Sequence, residues 1–410
     1  MDSFSEKVRP DKSAPGEISR RSFIKTAGVA AGAAGIAGVG VLGCDKKVKQ
    51  VKLGRTGITA SQFLGDRMED RALYELALDA GVNYWHKIGA WKEPAPYELF
   101  TGRDRDSFHC DTVVGSLEKD RAIEIFERNL AKTGLECIDG FKIHSQYRHA
   151  EDIKNKTGAI EAFEQLKKQG KTKYLMLSQH VNTVEIFEAA VDSDMFDLIQ
   201  IPVNPTMPRD YFTSDTFDRV ATQEEYFGII KKAADKNIAV TAMKVFLYGA
   251  KNWEQVPDLK EQVKQFLPDD QSIAKALVHW TLNVPGVAAY GSMLYTFEEL
   301  RENLEAVGGE LTPDESAGLK KFSECMGGWY CRMCGACERA NPGGIAVSDI
   351  LRFRGYYTGF GERESARKMY AQLPKSRRVE AVKDLTPYER ACPYGVRLTT
   401  LLRDAQTKLA

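Results

Sequence analysis

Four cysteines near the C-terminus have the residue type and spacing to bind a metal ion or a metal cluster. Three lie in the stretch CRMCGACERANPGG, where two residues separate Cys331 from Cys334 and Cys334 from Cys337. The fourth, Cys392, stands directly before a proline in the tail. These four are half of the eight cysteines in the chain. Such clustering favours metal binding over a disulfide framework.

The cysteine run resembles one motif of a two-cluster bacterial ferredoxin, with Asn341 where a fourth cysteine would precede proline. In such ferredoxins each motif gives three cysteines to one cluster and its proline-adjacent cysteine to the other cluster. The resemblance therefore implies that Cys392 completes the triplet. The positions four, seven and ten residues before Cys392 would hold the second triplet, and none is a cysteine. They are Tyr388, Leu385 and Val382.

We therefore expect one [4Fe-4S] cluster, with its second counterpart lost. The expected ligands are Cys331, Cys334, Cys337 and Cys392, with Cys325 as a reserve ligand. A zinc site is the alternative, although tight triple spacing suits iron–sulfur chemistry better than tetrahedral zinc. A single cluster argues against long-range electron relay through two clusters.

The N-terminus carries a candidate targeting segment. Residues 19–25 read SRRSFIK and precede an Ala/Gly-rich, mildly apolar run, a pattern that resembles a twin-arginine export signal. A basic pair before a linker, or a permanent transmembrane helix, is the weaker alternative. The run ends in VLGC, which resembles a lipoprotein box and would make Cys44 an acylated membrane anchor, unless cleavage occurs elsewhere nearby. We expect export to the periplasm or to the periplasmic side of the membrane.

Apolar runs and amphipathic segments alternate through the middle of the chain. The candidate strands are ASQFLG, VNYWHK, SFHCDTVV, CIDGFKIH, TKYLMLSQ, FDLIQIPV, IAVTAMKVF and GVAAYGSM. Segments such as RAIEIFERNLAKTG between them have the three- and four-residue apolar spacing of helices. Eight such units, with no early GxGxxG, favour a (β/α)8 TIM barrel over a doubly wound sheet.

The predicted organisation is an α/β chain of 410 residues in three parts. Residues 1–50 form the signal and linker, 51–310 the barrel, and 311–410 a small α-helical ferredoxin-like domain. Lys plus Arg and Asp plus Glu are equal at 57 each, so net charge gives no reason to expect a nucleic-acid partner.

Several phrases together resemble the ordered landmarks of the aldo-keto reductase family. They are KLGRTGI, ALDAGVNYW, GFKIHSQ, GKTKYLMLSQH, DLIQIPVN, AVTAMKV and EELRENLEAV, within residues 51–308. The resemblance implies a barrel whose strand C-termini bind a nicotinamide cofactor and reduce carbonyl groups with an Asp, Tyr, Lys and His tetrad. In that chemistry an acid protonates the carbonyl oxygen as hydride arrives.

Most of this tetrad is replaced in the present chain. The aspartate position is His86, the tyrosine position is Trp91, and the lysine position on the third strand falls at Asp111 or Thr112. Only His144 matches. We therefore expect His86 and His144, two groups that titrate near neutral pH when unperturbed, to carry any acid–base chemistry. A purely structural His144 is the alternative.

Other positions resemble the family's nicotinamide-binding residues, so the resemblance implies NAD(P) as an alternative cofactor. Tyr295 stands where a basic residue would meet a 2′-phosphate. The resemblance implies cofactor contacts from Ser178, Gln179, Gln200, Glu302 and Asn303.

Three histidines and two cysteines of the barrel are also considered as candidate site residues. His86, His144 and His180 fall at strand ends on one face, so a three-histidine metal site is a minor alternative. Cys110 and Cys137 lie in strand patterns and are expected to be core thiols.

The sequence thus predicts an exported oxidoreductase of the aldo-keto reductase type, with one [4Fe-4S] cluster and a modified active site. Its partners would be a small-molecule substrate, a redox protein and the twin-arginine translocation machinery. The rival hypothesis is a non-catalytic binding or scaffold protein with a structural cluster.

Overall fold

A closed barrel of eight parallel strands dominates the part of the chain that the structure describes. The structure is a computed structural model, and it describes residues 48–91, 94–155, 157–179, 183–206, 222–246, 259, 263, 272–331, 333, 335–359 and 361–410. Each barrel strand pairs with the next along the chain, and the last strand pairs with the first. The predicted fold class is confirmed.

The strands comprise one short hairpin and the barrel. The hairpin consists of β1 (Gln50–Lys52) and β2 (Thr59–Ser61), which pair antiparallel. The barrel strands are β3 (Phe63–Met68), β4 (Tyr84–Trp85), β5 (His109–Val114), β6 (Gly140–His144), β7 (Tyr174–Ser178), β8 (Leu198–Pro202), β9 (Ala239–Met243) and β10 (Ala289–Leu294).

Helices follow the barrel strands and then form the tail. Within the described residues they are α1 (Arg71–Asp79), α2 (Glu98–Thr101), α3 (Lys119–Thr133), α4 (Ala150–Lys154), α5 (Gly158–Lys168), α6 (Thr183–Ser193), α7 (Gln223–Asp235), α8 (Ile273–Leu282), α9 (Phe297–Ala306), α10 (Pro313–Gly327), α11 (Ala336–Arg339), α12 (Val347–Gly359), α13 (Arg363–Gln372), α14 (Thr386–Arg390) and α15 (Leu398–Leu409).

Local sequence signals explain several helix ends. Thr222, Thr296 and Thr312 each cap a helix N-terminus, and a glutamate three residues later bonds back to the threonine backbone. These reciprocal bonds satisfy N–H groups that the first helical turn leaves unpaired. Helix α3 ends at Gly134, whose φ of 69° lies in the left-handed region that glycine adopts readily.

The hairpin closes the N-terminal end of the barrel. Leu53, Ile58 and Ala60 are buried against the lowest inward-facing layer of the strands, which includes Leu64 and Tyr84. An apolar floor of this kind excludes water from below. Polar side chains that need access to solvent must therefore lie toward the opposite, C-terminal end, which we call the mouth.

The tail packs on the barrel through its first helix. Phe322 and Met326 of α10 are buried in the same apolar cluster as the barrel helices, which we call the barrel core. On α8, His279 Nδ1 lies 2.8 Å from the buried carboxylate of Glu315. The rest of the tail has a separate cluster, the tail core, built from residues including Ile345, Val347, Ile350, Leu398 and Leu402.

All eight predicted strand positions contain a barrel strand. The first differs in detail, because the run ASQFLG covers the end of β2 and only the start of β3, which continues to Met68. The predicted strand ended at Gly65 because Asp66 and Arg67 interrupt the apolar pattern. Among the described helices, none has both the length and the apolar character needed to cross a bilayer.

Gly291 on β10 provides a test of packing inside the barrel. A Cβ at this position would lie 2.6 Å from His86 Cδ2 and 2.9 Å from His86 Nε2. We expect Gly291→Ala to lower the free energy of unfolding by about 1–3 kcal/mol, because an overpacked core must shift to relieve the clash. Denaturant unfolding measures this change.

Gly228→Ala is the matched control for the Gly291 variant. Gly228 lies in the exposed face of α7, and a Cβ there meets nothing within 4 Å. Alanine at this site should be neutral or stabilise by about 0.5–1 kcal/mol through helix propensity. Equal stability of the Gly291→Ala variant and the parent would contradict the packing described for His86.

Candidate functional site

The candidate site lies at the C-terminal ends of the barrel strands and has two layers. The lower layer is a buried polar cluster, which we call the inner network, formed by His86, Asp111, Lys142 and Gln200. The upper layer lines the mouth. In (β/α)8 barrels the C-terminal face is where catalytic side chains converge.

Asp111 on β5 is the centre of the inner network. Its Oδ1 lies 2.7 Å from Lys142 Nζ, and its Oδ2 lies 2.5 Å from His86 Nδ1 and accepts a bond of 3.1 Å from the Tyr84 hydroxyl. The side chains of Asp111, Lys142 and His86 are at most 1% exposed. A buried carboxylate needs such partners, because water cannot solvate it.

Gln200 on β8 completes the inner network. Its Nε2 donates to His86 Nε2 at 3.0 Å, and its Oε1 accepts from Lys142 Nζ at 3.3 Å. Because an ionised carboxylate can only accept, His86 carries its proton on Nδ1, which donates to Asp111. Both ring nitrogens of His86 are thus engaged within the protein.

Burial and the ion pair set the protonation states of this layer. Burial lowers the pKa of His86, and the nearby Lys142 charge lowers it further. Burial by itself would raise the pKa of Asp111, but the charge of Lys142 and the hydrogen bond from His86 hold it well below its usual range. Burial lowers the pKa of Lys142, while Asp111 opposes that shift. We conclude that a neutral imidazole sits beside a buried carboxylate–ammonium pair.

Three strand ends at the mouth adopt left-handed backbone conformations. Lys87 after β4 has φ 57°, Ser145 after β6 has φ 52°, and Lys244 after β9 has φ 62°. Non-glycine residues in this region carry strain that clusters at functional sites. Lys87 Nζ pairs with Asp66 Oδ2 of β3 at 2.7 Å.

His144 lies at the mouth, at the C-terminal end of β6, as the sequence predicted. Its Nδ1 is 2.6 Å from Ser178 Oγ, and Gln146 Nε2 donates to its carbonyl at 2.9 Å. Burial lowers the pKa of His144 to about 3, aided by the charges of Lys87, Lys142 and Lys244. Burial thus moves the pKa values of both His86 and His144 below that of an unperturbed imidazole, a shift that depends on surroundings the sequence did not reveal.

The residues predicted to hold nicotinamide mostly have other partners in the structure. Ser178 contacts His144, and Gln200 belongs to the inner network. Gln179 is fully buried, and its Nε2 donates to the Tyr147 carbonyl at 2.8 Å. The remaining two lie on α9. Asn303 accepts from the Tyr290 hydroxyl at 2.8 Å, whereas Glu302 is half-buried beside it.

The positions of the expected tetrad are also rearranged. Trp91 Nε1 donates to the His86 carbonyl at 2.9 Å, and the indole stacks on Tyr97, so Trp91 packs the barrel top. The lysine position expected on the third barrel strand, β5, holds Asp111 or Thr112, and Lys142 of the neighbouring strand β6 lies beside Asp111. Thr112 faces the other way and donates to the Ile88 carbonyl.

Sequence reasoning missed Asp66, Lys87, Lys142 and Lys244. One signal was available for Lys142, a charged residue inside the apolar run GFKIH. It stands two residues before His144 and therefore shares its inward face. Lys87 and Lys244 follow strand ends, where single-sequence patterns are least informative, and Asp66 lies inside β3, beyond the predicted run.

In the tail, three predicted ligands lie around one cluster of apolar side chains. Cys337 belongs to the tail core, and Cys331 and Cys392 pack against it. Backbone N–H groups of Met333 and Val396 donate to the Sγ atoms of Cys331 and Cys392, both at 3.4 Å. Cys334 lies outside the described residues. Cys325, the reserve ligand, packs against the barrel core instead.

The positions of the missing second triplet are occupied by apolar packing. Leu385 and Tyr388 are buried in the tail core, and Val382 packs against it. The Tyr388 hydroxyl accepts from the Ile345 backbone N–H at 3.0 Å. Asn341, at the vacant cysteine position, donates to the Cys337 carbonyl at 2.9 Å. These side chains contribute packing and hydrogen bonds to the tail.

The structure describes no three His, Cys, Asp or Glu side chains grouped to hold a single metal ion, within the residues it covers. In the three-histidine alternative, both ring nitrogens of His86 already have partners within the protein, and His180 lies outside the described residues.

Cys110 is fully buried in the barrel, and burial raises its thiol pKa, as expected for a core thiol. Cys137 is half-buried.

Comparisons with known proteins agree with the N-terminal signal and with the fold. The family described as TAT (twin-arginine translocation) pathway signal sequence matches residues 17–37. No curated protein matches the chain.

Solved structures of aldo-keto reductases resemble the barrel. The aldo-keto reductase AKR11C1 from Bacillus halodurans aligns over 67% of this chain and 96% of its own, with 19% identity and a TM-score of 0.51. An aldo/keto reductase from Brucella melitensis aligns over 67% of this chain and 100% of its own, with 18% identity and a TM-score of 0.47. The chain therefore combines a twin-arginine signal with a barrel of the aldo-keto reductase fold.

Proposed function

We propose that this protein is an exported oxidoreductase that binds one [4Fe-4S] cluster in its tail and its substrate at the barrel mouth. The observation that carries the proposal is the meeting of Cys331, Cys337 and Cys392, from two distant segments, around the tail core. The crossing rule for ferredoxin ligands requires such a meeting, because it takes the fourth thiolate from a second, remote motif.

The donor set suits a cluster better than a single ion. Each thiolate binds a separate iron corner of a [4Fe-4S] cluster, so the sulfur atoms need not converge on one point. The backbone N–H groups that donate to Cys331 and Cys392 stabilise thiolate charge. When bound, such a cluster supplies one-electron transfer.

The ligand region also lies close to the barrel. Trp329 and Cys331 pack against both the barrel core and the tail core. This contact supports communication between the tail and the barrel rather than an independent electron-carrier module. The engagement of Ser178, Gln179 and Gln200 within the protein argues further against nicotinamide as the redox group.

The barrel residues divide into positioning and binding groups. The Asp111–Lys142 pair fixes His86 below the mouth, so we assign His86 a positioning role. His144 is a neutral imidazole oriented by Ser178, and it is the residue we assign to hydrogen-bond a substrate oxygen. A neutral imidazole can polarise a carbonyl without being an imidazolium.

The rival scaffold hypothesis explains the mouth less well. Three left-handed strand ends and a buried ion pair cost stability, and a barrel that had lost its chemistry would have no reason to retain them. Titratable groups perturbed by burial and by specific charges are typical of functional sites.

The signal at residues 17–37 supports export after folding, with the cluster inserted in the cytoplasm. The destination we propose is the periplasm or the periplasmic face of the membrane, with Cys44 as the acylated residue in the second case.

We expect replacement of Arg20 and Arg21 together by lysine to retain the protein in the cytoplasm, because the twin-arginine export route recognises the arginine pair. Cell fractionation measures this, and Arg9→Lys is the matched control. Normal export of the double variant would contradict the assignment.

Cluster binding is tested by replacing each ligand with serine. We expect Cys331→Ser, Cys334→Ser, Cys337→Ser and Cys392→Ser each to reduce iron and sulfide well below about four per chain, because each thiolate holds one iron corner. The Cys325→Ser variant should retain both the iron and the sulfide. A cluster that survives Cys392→Ser would contradict the ligand set, and a cluster that cannot be reduced at accessible potentials would favour the scaffold.

The inner network predicts that the protein becomes much less stable when the carboxylate of Asp111 is removed. Asp111→Asn should lower the free energy of unfolding by about 3–5 kcal/mol, because it leaves the buried Lys142 charge uncompensated. Adding Lys142→Met should recover part of that loss. The exposed pair Lys231–Asp235 provides the control, since Asp235→Asn should cost less than about 0.5 kcal/mol. Additive effects of the Asp111 and Lys142 changes would argue against the pair.

A further inference from the structure

A cleft in the tail is lined by aromatic and charged side chains that the proposed function does not use. Its volume is about 500 Å³, and its lining comes mainly from α12 and α15, together with Trp329 and Arg363. Small molecules bind in concave sites of this size that combine aromatic walls with a few polar groups. The cleft therefore has the form of a ligand site outside the barrel.

The charged groups that line the cleft carry an excess of positive charge. Asp404 on α15 binds two of them, since Arg354 Nε donates to its Oδ2 at 2.5 Å and Lys408 Nζ donates to its Oδ1. Arg363 is the third cation, and it is in no ion pair with any side chain that the structure describes. Three cations thus face one carboxylate, and Arg363 has its charge available for an anion.

The aromatic walls of the cleft are Trp329 and Tyr357, and both rings are half-buried. The guanidinium carbon of Arg363 lies 5.7 Å from the centroid of the Tyr357 ring. A guanidinium group beside an aromatic ring can stack on a flat ligand and bind an anionic group through its N–H donors. The two walls and Arg363 together suit a ligand that is both planar and negatively charged.

The cleft also lies beside the two segments that carry the predicted cluster ligands. Trp329 stands two residues before Cys331, and Arg397 stands five residues after Cys392. The guanidinium carbon of Arg397 lies 5.0 Å from the centroid of the Trp329 ring, and its backbone N–H donates to the Gly328 carbonyl at 2.8 Å. A ligand in contact with Trp329 would therefore lie next to both segments.

We propose that this cleft binds a small planar aromatic anion, a ring system that carries a phosphate, sulfonate or carboxylate group. The ring stacks against Trp329 and Tyr357, and the guanidinium of Arg363 binds the anionic group. The juxtaposition of these three side chains around one cleft carries the proposal. It does not rest on the cluster, because no side chain that lines the cleft is a predicted cluster ligand.

Binding is measured on the purified full-length protein by equilibrium dialysis, with flavin mononucleotide and anthraquinone-2-sulfonate as probes. Riboflavin has the flavin ring without the phosphate, and inorganic phosphate is the anion without the ring. We expect flavin mononucleotide to bind at least about tenfold more tightly than either, because only it combines stacking with charge-assisted hydrogen bonds. Iron is measured in parallel, so that loss of the cluster and loss of ligand binding are distinguished.

Variants assign this binding to the cleft. Arg363→Met should weaken the binding of flavin mononucleotide at least about tenfold and leave riboflavin binding unchanged, because it removes only the charge. Tyr357→Leu should weaken the binding of both flavins. Lys368→Met is the matched control, since Lys368 is exposed on the same helix as Arg363 and does not line the cleft.

Three outcomes would overturn the proposal. The first is the absence of binding of both flavin mononucleotide and anthraquinone-2-sulfonate below about 1 mM. The second is equal affinity for flavin mononucleotide and riboflavin. The third is unchanged affinity for flavin mononucleotide in a folded Arg363→Met variant, which would place the probe elsewhere on the protein. Normal binding by protein that lacks iron would support the cleft and count against the cluster alone.

Discussion

The buried ion pair between Asp111 and Lys142 is the interaction on which the interior of this barrel depends. Asp111 accepts from Lys142, His86 and Tyr84, so one carboxylate fixes three side chains from neighbouring strands. Removing water from such a pair is costly, and only dense hydrogen bonding offsets the cost. The pair orients His86, whose ring lies where a Cβ at Gly291 would stand, and Lys142 is one of three lysines whose charge acts on His144.

The sequence predicted the barrel well because strands and helices have local signatures. Apolar periodicity predicted all eight strand positions, and resemblance predicted that His144 reaches the mouth. The inner network was not predictable in the same way. Lys142 and Asp111 lie on adjacent strands, and strand register depends on barrel closure, which one sequence does not encode locally. The pKa of His144 likewise depends on burial and on lysines from three strands.

In the tail, the positions at which a second ferredoxin motif would have cysteines carry side chains that pack. Leu385 and Tyr388, at positions where a second cluster would need thiolates, are buried in the tail core. Apolar burial stabilises a small domain, as metal binding does in other small domains. The sequence indicated which cysteines a second motif would need, but the packing at those positions depends on contacts between segments far apart in the chain.

The hairpin that closes the barrel floor also sets a direction for the whole molecule. Val48 begins the described chain beside the floor, where its backbone N–H donates to the Ala80 carbonyl, and Cys44 stands only four residues earlier. Four extended residues span at most about 14 Å. A lipid on Cys44 would therefore hold the closed end of the barrel against the bilayer and turn the open end away from it. Substrates would then arrive from the aqueous compartment rather than by lateral diffusion within the membrane.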